Sequence, residues 1–207
     1  MRLAVIGAGG HSKEVVDLIR ACGHEISGFV DDAVRGPHPT SGYPVVADVS
    51  ELEFEGIVLA IGDNAARARW YGRVEPHMAS AIVHPTAVVS ESASVGAGTQ
   101  VMQHVIVNAA ATVGVDCILN VACSIAHDCE VGAHSHIAPG ARLGGGSVVG
   151  EGSLVGTNAT ILPGVRVGRS CVIGAGAVVC GDLPDLCRAV GVPARPLPGQ
   201  VDGRASE

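Results

Sequence analysis

Residues 149–161 read Val149-Gly150-Glu151-Gly152-Ser153-Leu154-Val155-Gly156-Thr157-Asn158-Ala159-Thr160-Ile161. Val149, Val155 and Ile161 stand six apart, and small residues, Ser153 and Ala159, follow the first two at a distance of four. Working outward, an aliphatic residue recurs at every sixth position from Val83 to Val179 without a miss. It passes through Val89, Val95, Val101, Val107, Val113, Leu119, Ile125, Val131, Ile137, Leu143, Val167 and Ile173. A fixed short period marks a solenoid, and a period of six points to a β-helix.

The position four after the aliphatic is small in most hexads, for example Ala111, Cys117, Cys123, Cys129, Ser135, Ala141, Ser147 and Ala177. Val105, Val165 and Leu183 are the larger exceptions. Gly often follows the aliphatic directly, as at Gly96, Gly114, Gly132, Gly150, Gly156, Gly168 and Gly174. The expected unit is a short strand and a tight corner. The aliphatic points into a narrow prism, the small residue fills the space beside it, and Gly relieves strain where the backbone turns. Three units close a triangular coil, and stacked coils bury one another's interior. This pattern resembles the hexapeptide-repeat acyltransferases. That resemblance implies a left-handed parallel β-helix, a homotrimer and the use of acetyl-CoA.

Composition sets further bounds. With 207 residues the chain has room for two small domains. Two Phe, two Tyr and one Trp leave the core to Val, Ile, Leu and Ala, as a thin solenoid requires. A net charge of −7 without a basic run argues against nucleic acid as a partner. The chain shows no charged-then-apolar leader and no long apolar span, so no membrane association and a cytoplasmic location are expected. Cys117, Cys123, Cys129 and Cys171 fall in the small inward slot and read as buried hydrophobes in a reducing compartment. No outward Cys cluster has metal-ligand spacing, so no metal is expected. Cys22, Cys180 and Cys187 are isolated.

The N-terminal part reads differently. Residues 2–6 form a buried strand, Gly7-Ala8-Gly9-Gly10-His11 a turn, and a helix runs from about Ser12 to Cys22. A second strand, Ile26 to Val30, ends in Asp31-Asp32. A third, Ile57 to Ile61, ends at Gly62-Asp63-Asn64, and a helix follows from about Ala65 to Glu75. Alternation of this kind implies a parallel sheet with crossover helices. A glycine-rich strand-to-helix turn can bring backbone N–H groups to a phosphate, and an acidic residue after the next strand can hold a ribose or base. The pattern GxGGHS lacks the third Gly of a dinucleotide fingerprint, and about 80 residues are short for a full NAD site.

GAGGH, the Asp pair after the second strand and AIGDN after a later strand, all ahead of a hexapeptide helix, make the chain similar to the bacterial sugar-nucleotide acetyltransferases. That family includes UDP-4-amino-sugar and GDP-perosamine N-acetyltransferases and the sialic acid O-acetyltransferase type. The division is then an α/β Rossmann-like domain over 1–80, the β-helix over 81–184, and a C-terminal segment over 185–207 with a polar, loose tail. The resemblance implies that Gly9, Gly10, His11, Asp31, Asp32 and Gly62 line the site for the nucleotide of the acceptor.

Acetyl transfer from a thioester needs a base near the nucleophile and donors near the developing oxyanion. Only outward corner residues of the solenoid can serve. His127 and Asp128 occupy such a corner, and an Asp beside a His can hold one tautomer and raise its basicity. The family motif, a His followed by an acidic residue inside a hexad, reads Ile125-Ala126-His127-Asp128-Cys129 here. It implies His127 as general base with Asp128 as its support. Many relatives carry Glu at the second place, so contact between the shorter Asp128 and the ring is an open point. By the same resemblance His136 meets the thioester end of acetyl-CoA, Asn120 lies in the sugar pocket, and Gly145, Thr157 and Ala175 contribute backbone to CoA. The closing Gly191-Val192-Pro193-Ala194-Arg195 matches the family's terminal segment, with Arg195 either meeting a CoA phosphate or solvated. His134 reads as a bystander, His104 as structural or interfacial, and His84, His77, His38 and His24 carry no positional signal.

Three rivals stand beside the amino-sugar N-acetyltransferase. A trimeric zinc enzyme of the γ-carbonic anhydrase type would need two His five apart, a spacing absent here. A nucleotide-binding scaffold without catalysis would keep GAGGH but would not need His127 beside Asp128. An O-acetyltransferase of a sialic-acid-like sugar would use the same base.

Overall fold

The computed structural model describes residues 1–34 and 36–198. The expected loose tail thus lies largely outside the described residues. The first unit comprises β1 (Arg2–Ile6), α1 (Gly10–Ala21), β2 (Glu25–Val30), β3 (Val45–Val46), β4 (Gly56–Leu59) and α2 (Asn64–Val74). Its strands form a four-stranded parallel sheet in the order β3-β2-β1-β4. β1 is central, and Leu3, Ala4, Val5 and Ile6 are buried on both faces, as expected for a parallel strand with helices over it. α1 presents Val15, Val16, Leu18 and Ile19 to the sheet. It begins two residues earlier than expected, so Gly10 and His11 belong to its first turn, with Gly9 as cap. The two-residue β3 at the sheet edge is absent from the sequence reading because its apolar signal is only Val45-Val46.

From Ile82 onward the chain is a triangular parallel β-helix. Its first face holds Ile82–Val83, Gln100–Val101, Ile118–Leu119, His136–Ile137, Leu154–Val155, Val172–Ile173 and Arg188–Val190. Arg195–Pro196 adds an antiparallel edge there. The second face runs from Val88–Val89 to Val178–Val179, and the third from Ser94–Val95 to Arg166–Val167. Gln100 pairs with Ile82 and Ile118, and Ile118 with His136, so each coil is three hexads. The aliphatic series is buried from Val101 to Val179, together with the slot residues Thr99, Cys117, Cys123, Cys129, Ser135, Ser147, Ser153 and Cys171. Each such Val or Ile contributes ~1.5–3 kcal/mol by leaving water. The buried hydroxyls bridge coils: Thr99 Oγ1 donates to the Gly114 carbonyl and accepts from the Cys117 N–H. Burial pushes the Cys117 and Cys123 thiols up to about 12 and keeps them neutral.

Two expectations need correction. Val83 is 37% exposed, and Val89 and Val95 are only partly buried. They belong to the first coil, which has a neighbouring coil on one side only. The glycine after each aliphatic does not supply the turn. A Cβ on Gly114 would lie 2.6 Å from Ala133 N, so that position is glycine because the next coil's backbone passes there. The left-handed conformation falls three residues after the aliphatic, at every sixth residue from Gly98 to Gly176. His104, Asp116, Asp128, His134 and Asn158 are among the non-glycine residues that adopt it.

The two units pack through the first face and the third edge, the edge between the third face and the first. Arg67, on α2, is fully buried. Its Nε donates to the Asp116 carbonyl (3.1 Å), Nη1 to the Ile61 carbonyl (3.1 Å), and Nη2 to Asn64 Oδ1 (3.0 Å) and the His134 carbonyl (2.8 Å). Asp116 Oδ2 lies 3.4 Å from Arg67 Nε and 2.8 Å from His134 Nδ1. His134 is therefore a partner in this buried cluster, not a bystander.

Candidate active site

His127 and Asp128 sit on the second edge, between Ser124–Ile125 of the second face and Glu130–Val131 of the third. Both side chains are about two-thirds exposed. His127 Nδ1 is 2.7 Å from Asp128 Oδ2, so the contact left open by the short Asp side chain exists. An ionised carboxylate only accepts, so Nδ1 carries the proton and Nε2 presents a lone pair. Asp128 reaches back to the preceding residue because its backbone is left-handed (φ 59°). One coil further on, Gly146 N–H donates to the His127 carbonyl. A Cβ on Gly145 would stand 2.6 Å from His127 Nε2, so the ring lies directly over Gly145 and a side chain there would displace it. Gly145 N–H has no hydrogen-bond partner among the described residues.

Asn120, Thr157 and Ala175 lie on the first edge, where Gly176 N–H donates to the Thr157 carbonyl. His136 is on the first face beside it. Asn120 Oδ1 accepts the Val121 N–H at 2.7 Å, which leaves its Nδ2 to donate to His136 Nε2 at 3.1 Å. Burial, then the positive charge of Arg67, then that of His11 lower the His136 pKa to about 4. His136 is thus neutral near pH 7 with its proton on Nδ1. One chain brings His127 and Gly145 together on one edge and Asn120, His136, Thr157 and Ala175 together at another, but not the two groups with each other.

The glycine turn opens toward the first face. Among the described residues nothing lies within 4 Å of a Cβ built on Gly9 or Gly10, so packing does not require glycine at either position. Beneath the turn, Ser12 Oγ donates to the Gly9 carbonyl (2.5 Å), and the buried His38 contacts Ser12 Oγ through Nε2 (2.8 Å). His38, without signal in the sequence, thus buttresses the turn. Asp31 accepts the N–H groups of Ala8, Ala33 and Val34 and so ties the turn to the end of β2. Asp32 is exposed. Gly62 lines a cleft of ≈ 410 Å³ with Asp63, Asn64, Leu154 and Val172. His11 Nε2 is 3.0 Å from Gln100 Oε1 and its Nδ1 is 3.2 Å from Glu14 Oε2.

Sequence reasoning missed Arg67, Asp116 and Gln100. Arg67 takes the first place of a buried Arg67–Tyr71–Val74 stripe on α2, and Gln100 interrupts a ladder of otherwise mostly apolar residues at three-hexad spacing. Both patterns were available signals. Arg195 Nη1 bonds the Ala194 carbonyl. Among the described residues no group of three or more His, Cys, Asp or Glu is placed to hold a metal ion, and no helix is long and apolar enough to cross a membrane.

The chain matches the family descriptions "PglD N-terminal domain" over residues 2–74 and "Bacterial transferase hexapeptide (six repeats)" over 146–181. Its structure is similar to a variant of perosamine N-acetyltransferase from Caulobacter crescentus in complex with CoA and GDP-perosamine. Sequence identity is 37%, with 95% of this chain and 97% of that chain covered and a TM-score of 0.89. The acetyltransferase domain of PglB from Neisseria gonorrhoeae, in complex with acetyl coenzyme A, is 37% identical over 95% of this chain and 98% of that one, with a TM-score of 0.89. WeeI from Acinetobacter baumannii is 25% identical over 95% and 100%, with a TM-score of 0.84. A mimivirus protein, L142, is 31% identical over 102 residues, and this chain spans only 21% of its length. The two-unit architecture, the His127–Asp128 corner and near full-length likeness to two acetyltransferases place the chain in the left-handed β-helix family of bacterial sugar-nucleotide acetyltransferases.

Proposed function

We propose that the protein transfers the acetyl group of acetyl-CoA to the amino group of a nucleotide-linked 4-amino-deoxy sugar, with His127 as general base. The observation that carries this is the 2.7 Å bond from His127 Nδ1 to Asp128, which leaves the Nε2 lone pair toward solvent at an exposed corner. His127 Nε2 takes the proton of the attacking amine as the nitrogen bonds to the thioester carbonyl. The tetrahedral intermediate then collapses, the C–S bond breaks, and the thiolate leaves and takes up a proton. A positioned base contributes roughly 10²–10⁴-fold. Gly145 N–H is a donor for the carbonyl oxygen, and His136, neutral and protonated at Nδ1, donates at the thioester end.

The first unit, residues 1–80, holds the acceptor. The N–H groups at Gly10 and His11 face the diphosphate, Asp31 closes the turn, and Asp32 and Gly62 border the nucleoside. The β-helix, 81–184, carries the chemistry, and within the segment 185–207 the strand Arg188–Val190 pairs with Val172–Ile173 and closes the first face. The working form is a homotrimer with sites between subunits, because one chain puts His127 and Gly145 on a different edge from Asn120, Thr157 and Ala175. Cyclic symmetry sets one copy's second edge against the first edge of the next, and acetyl-CoA lies in that groove. Relatives crystallised with CoA and GDP-perosamine support the substrate class. A cytoplasmic location fits an acetyl-CoA-dependent step.

The test is thiol release from acetyl-CoA with UDP-, dTDP- and GDP-linked 4-amino sugars and with free sialic acid. Turnover with one amino-sugar nucleotide is expected. Turnover only with sialic acid assigns the hydroxyl acceptor instead, and no release with a folded trimer rejects the reaction.

A further inference from the structure

On the first face, the residue before each inward aliphatic points outward and forms a ladder up the solenoid: Ile82, Gln100, Ile118, His136, Leu154 and Val172. The N-terminal unit packs on this ladder. Only Gln100 and His136 in that series are polar. Gln100 is 1% exposed, and a buried amide is unfavourable unless its hydrogen bonds are made. Here they are made, and both run to the N-terminal unit. Gln100 Nε2 donates to the Leu59 carbonyl at the end of β4 (2.7 Å), and Oε1 faces His11 Nε2 (3.0 Å).

These two bonds decide an orientation. A carbonyl can only accept, so the amide nitrogen belongs at Leu59 and the amide oxygen at His11. His11 Nε2 must then carry a proton, and Nδ1 is the nitrogen turned away from the solenoid. Its neighbour is Glu14 Oε2 at 3.2 Å, on a side chain about half exposed and able to swing aside. We propose that Gln100 is a positioning residue for the acceptor. It anchors the His11 ring through Nε2, so that Nδ1, carrying the second proton of an imidazolium, is the donor offered to the anionic diphosphate of the sugar nucleotide, and Glu14 accepts from it until the ligand arrives. The second bond, to Leu59, ties the same amide to the strand leading into the Gly62 rim, so one side chain sets both walls of the acceptor site against the solenoid.

The inference rests on the sugar-nucleotide reading, but its test separates the two. In proton–nitrogen correlation spectra of the intact protein, His11 is expected to show a protonated Nε2. Gln100→Leu, close in volume, removes the acceptor and should release that fixed state. With an amino-sugar nucleotide as acceptor, its KM should rise about tenfold, as for loss of one hydrogen bond to a charged group. The KM for acetyl-CoA should not change. Gln100→Glu keeps an acceptor for His11 and should restore the spectrum and most of the KM while melting lower, because Leu59 loses its donor. A wild-type His11 without a proton on Nε2 overturns the proposal. So does a Gln100→Leu protein whose only change is a lower melting temperature. If Gln100→Leu fails to fold, the wild-type spectrum and Gln100→Glu still decide. The spectrum needs no turnover, so an inactive wild type with a correctly held His11 would reject the reaction and keep the positioning role.

Discussion

Asp128 holds the ring of the residue immediately before it, and it does so from a left-handed backbone position (φ 59°, Nδ1 to Oδ2 2.7 Å). Asp and Asn tolerate that conformation better than most residues. Asp128→Asn should therefore keep the corner while losing the carboxylate that fixes Nδ1–H. A hydrogen bond to a charged group contributes about 1.5–3 kcal/mol, so kcat should fall about 10–100-fold with the KM for acetyl-CoA and the melting temperature unchanged. Steady-state thiol release and a thermal melt check this.

Gly145 tests placement separately from chemistry. Its φ is not left-handed, so alanine fits the backbone, but the added methyl meets the His127 ring. Displacing a catalytic group by about 1 Å can lower the rate on the order of 10²-fold. Gly145→Ala should do so in kcat, at unchanged elution volume in gel filtration.

Arg67 joins the two units with no solvent access, and its removal leaves the Asp116 carboxylate buried beside His134. Burial lowers the Arg67 pKa and the Asp116 charge opposes that shift. Breaking a buried pair from one side costs about 3–5 kcal/mol. Arg67→Met should lower the denaturation free energy by that amount in a urea titration.

These features differ in how readable they were. The solenoid was legible because an inward residue recurs at a fixed period and polar side chains cannot fill that slot unpaired. The purpose of Gly114 was not, since a letter G does not distinguish a turn from a close approach of the next coil. The corner His127–Asp128 could be located by its motif, yet its hydrogen bond depended on a backbone angle shared with Asp116 and His104, which no composition signals. Arg67 and Gln100 break apolar patterns that mark them as buried, but their partners lie 49 and 89 residues away along the chain, so no local pattern names what they bind.

The buried His136 predicts a pH dependence. Its pKa is about 4 when folded against an ordinary 6.5. Below pH 6.5 the unfolded chain binds a proton that the folded one does not, so stability is full above 6.5 and declines as pH falls toward 4. The loss at the lower end is about 3 kcal/mol at 1.36 kcal/mol per pKa unit. Denaturant titrations at pH 7 and pH 4 should show it in wild type. His136→Gln should lack that share of the loss, and equal losses in the two proteins would contradict the assignment.

The most direct test of the account is His127→Ala, assayed by thiol release with saturating acetyl-CoA and the accepted amino-sugar nucleotide. The side chain is exposed and outside the core, so gel-filtration elution and melting temperature should match wild type while turnover falls by about 10²–10⁴-fold. A near wild-type rate in a folded His127→Ala protein would remove His127 as the base, and with it the mechanism.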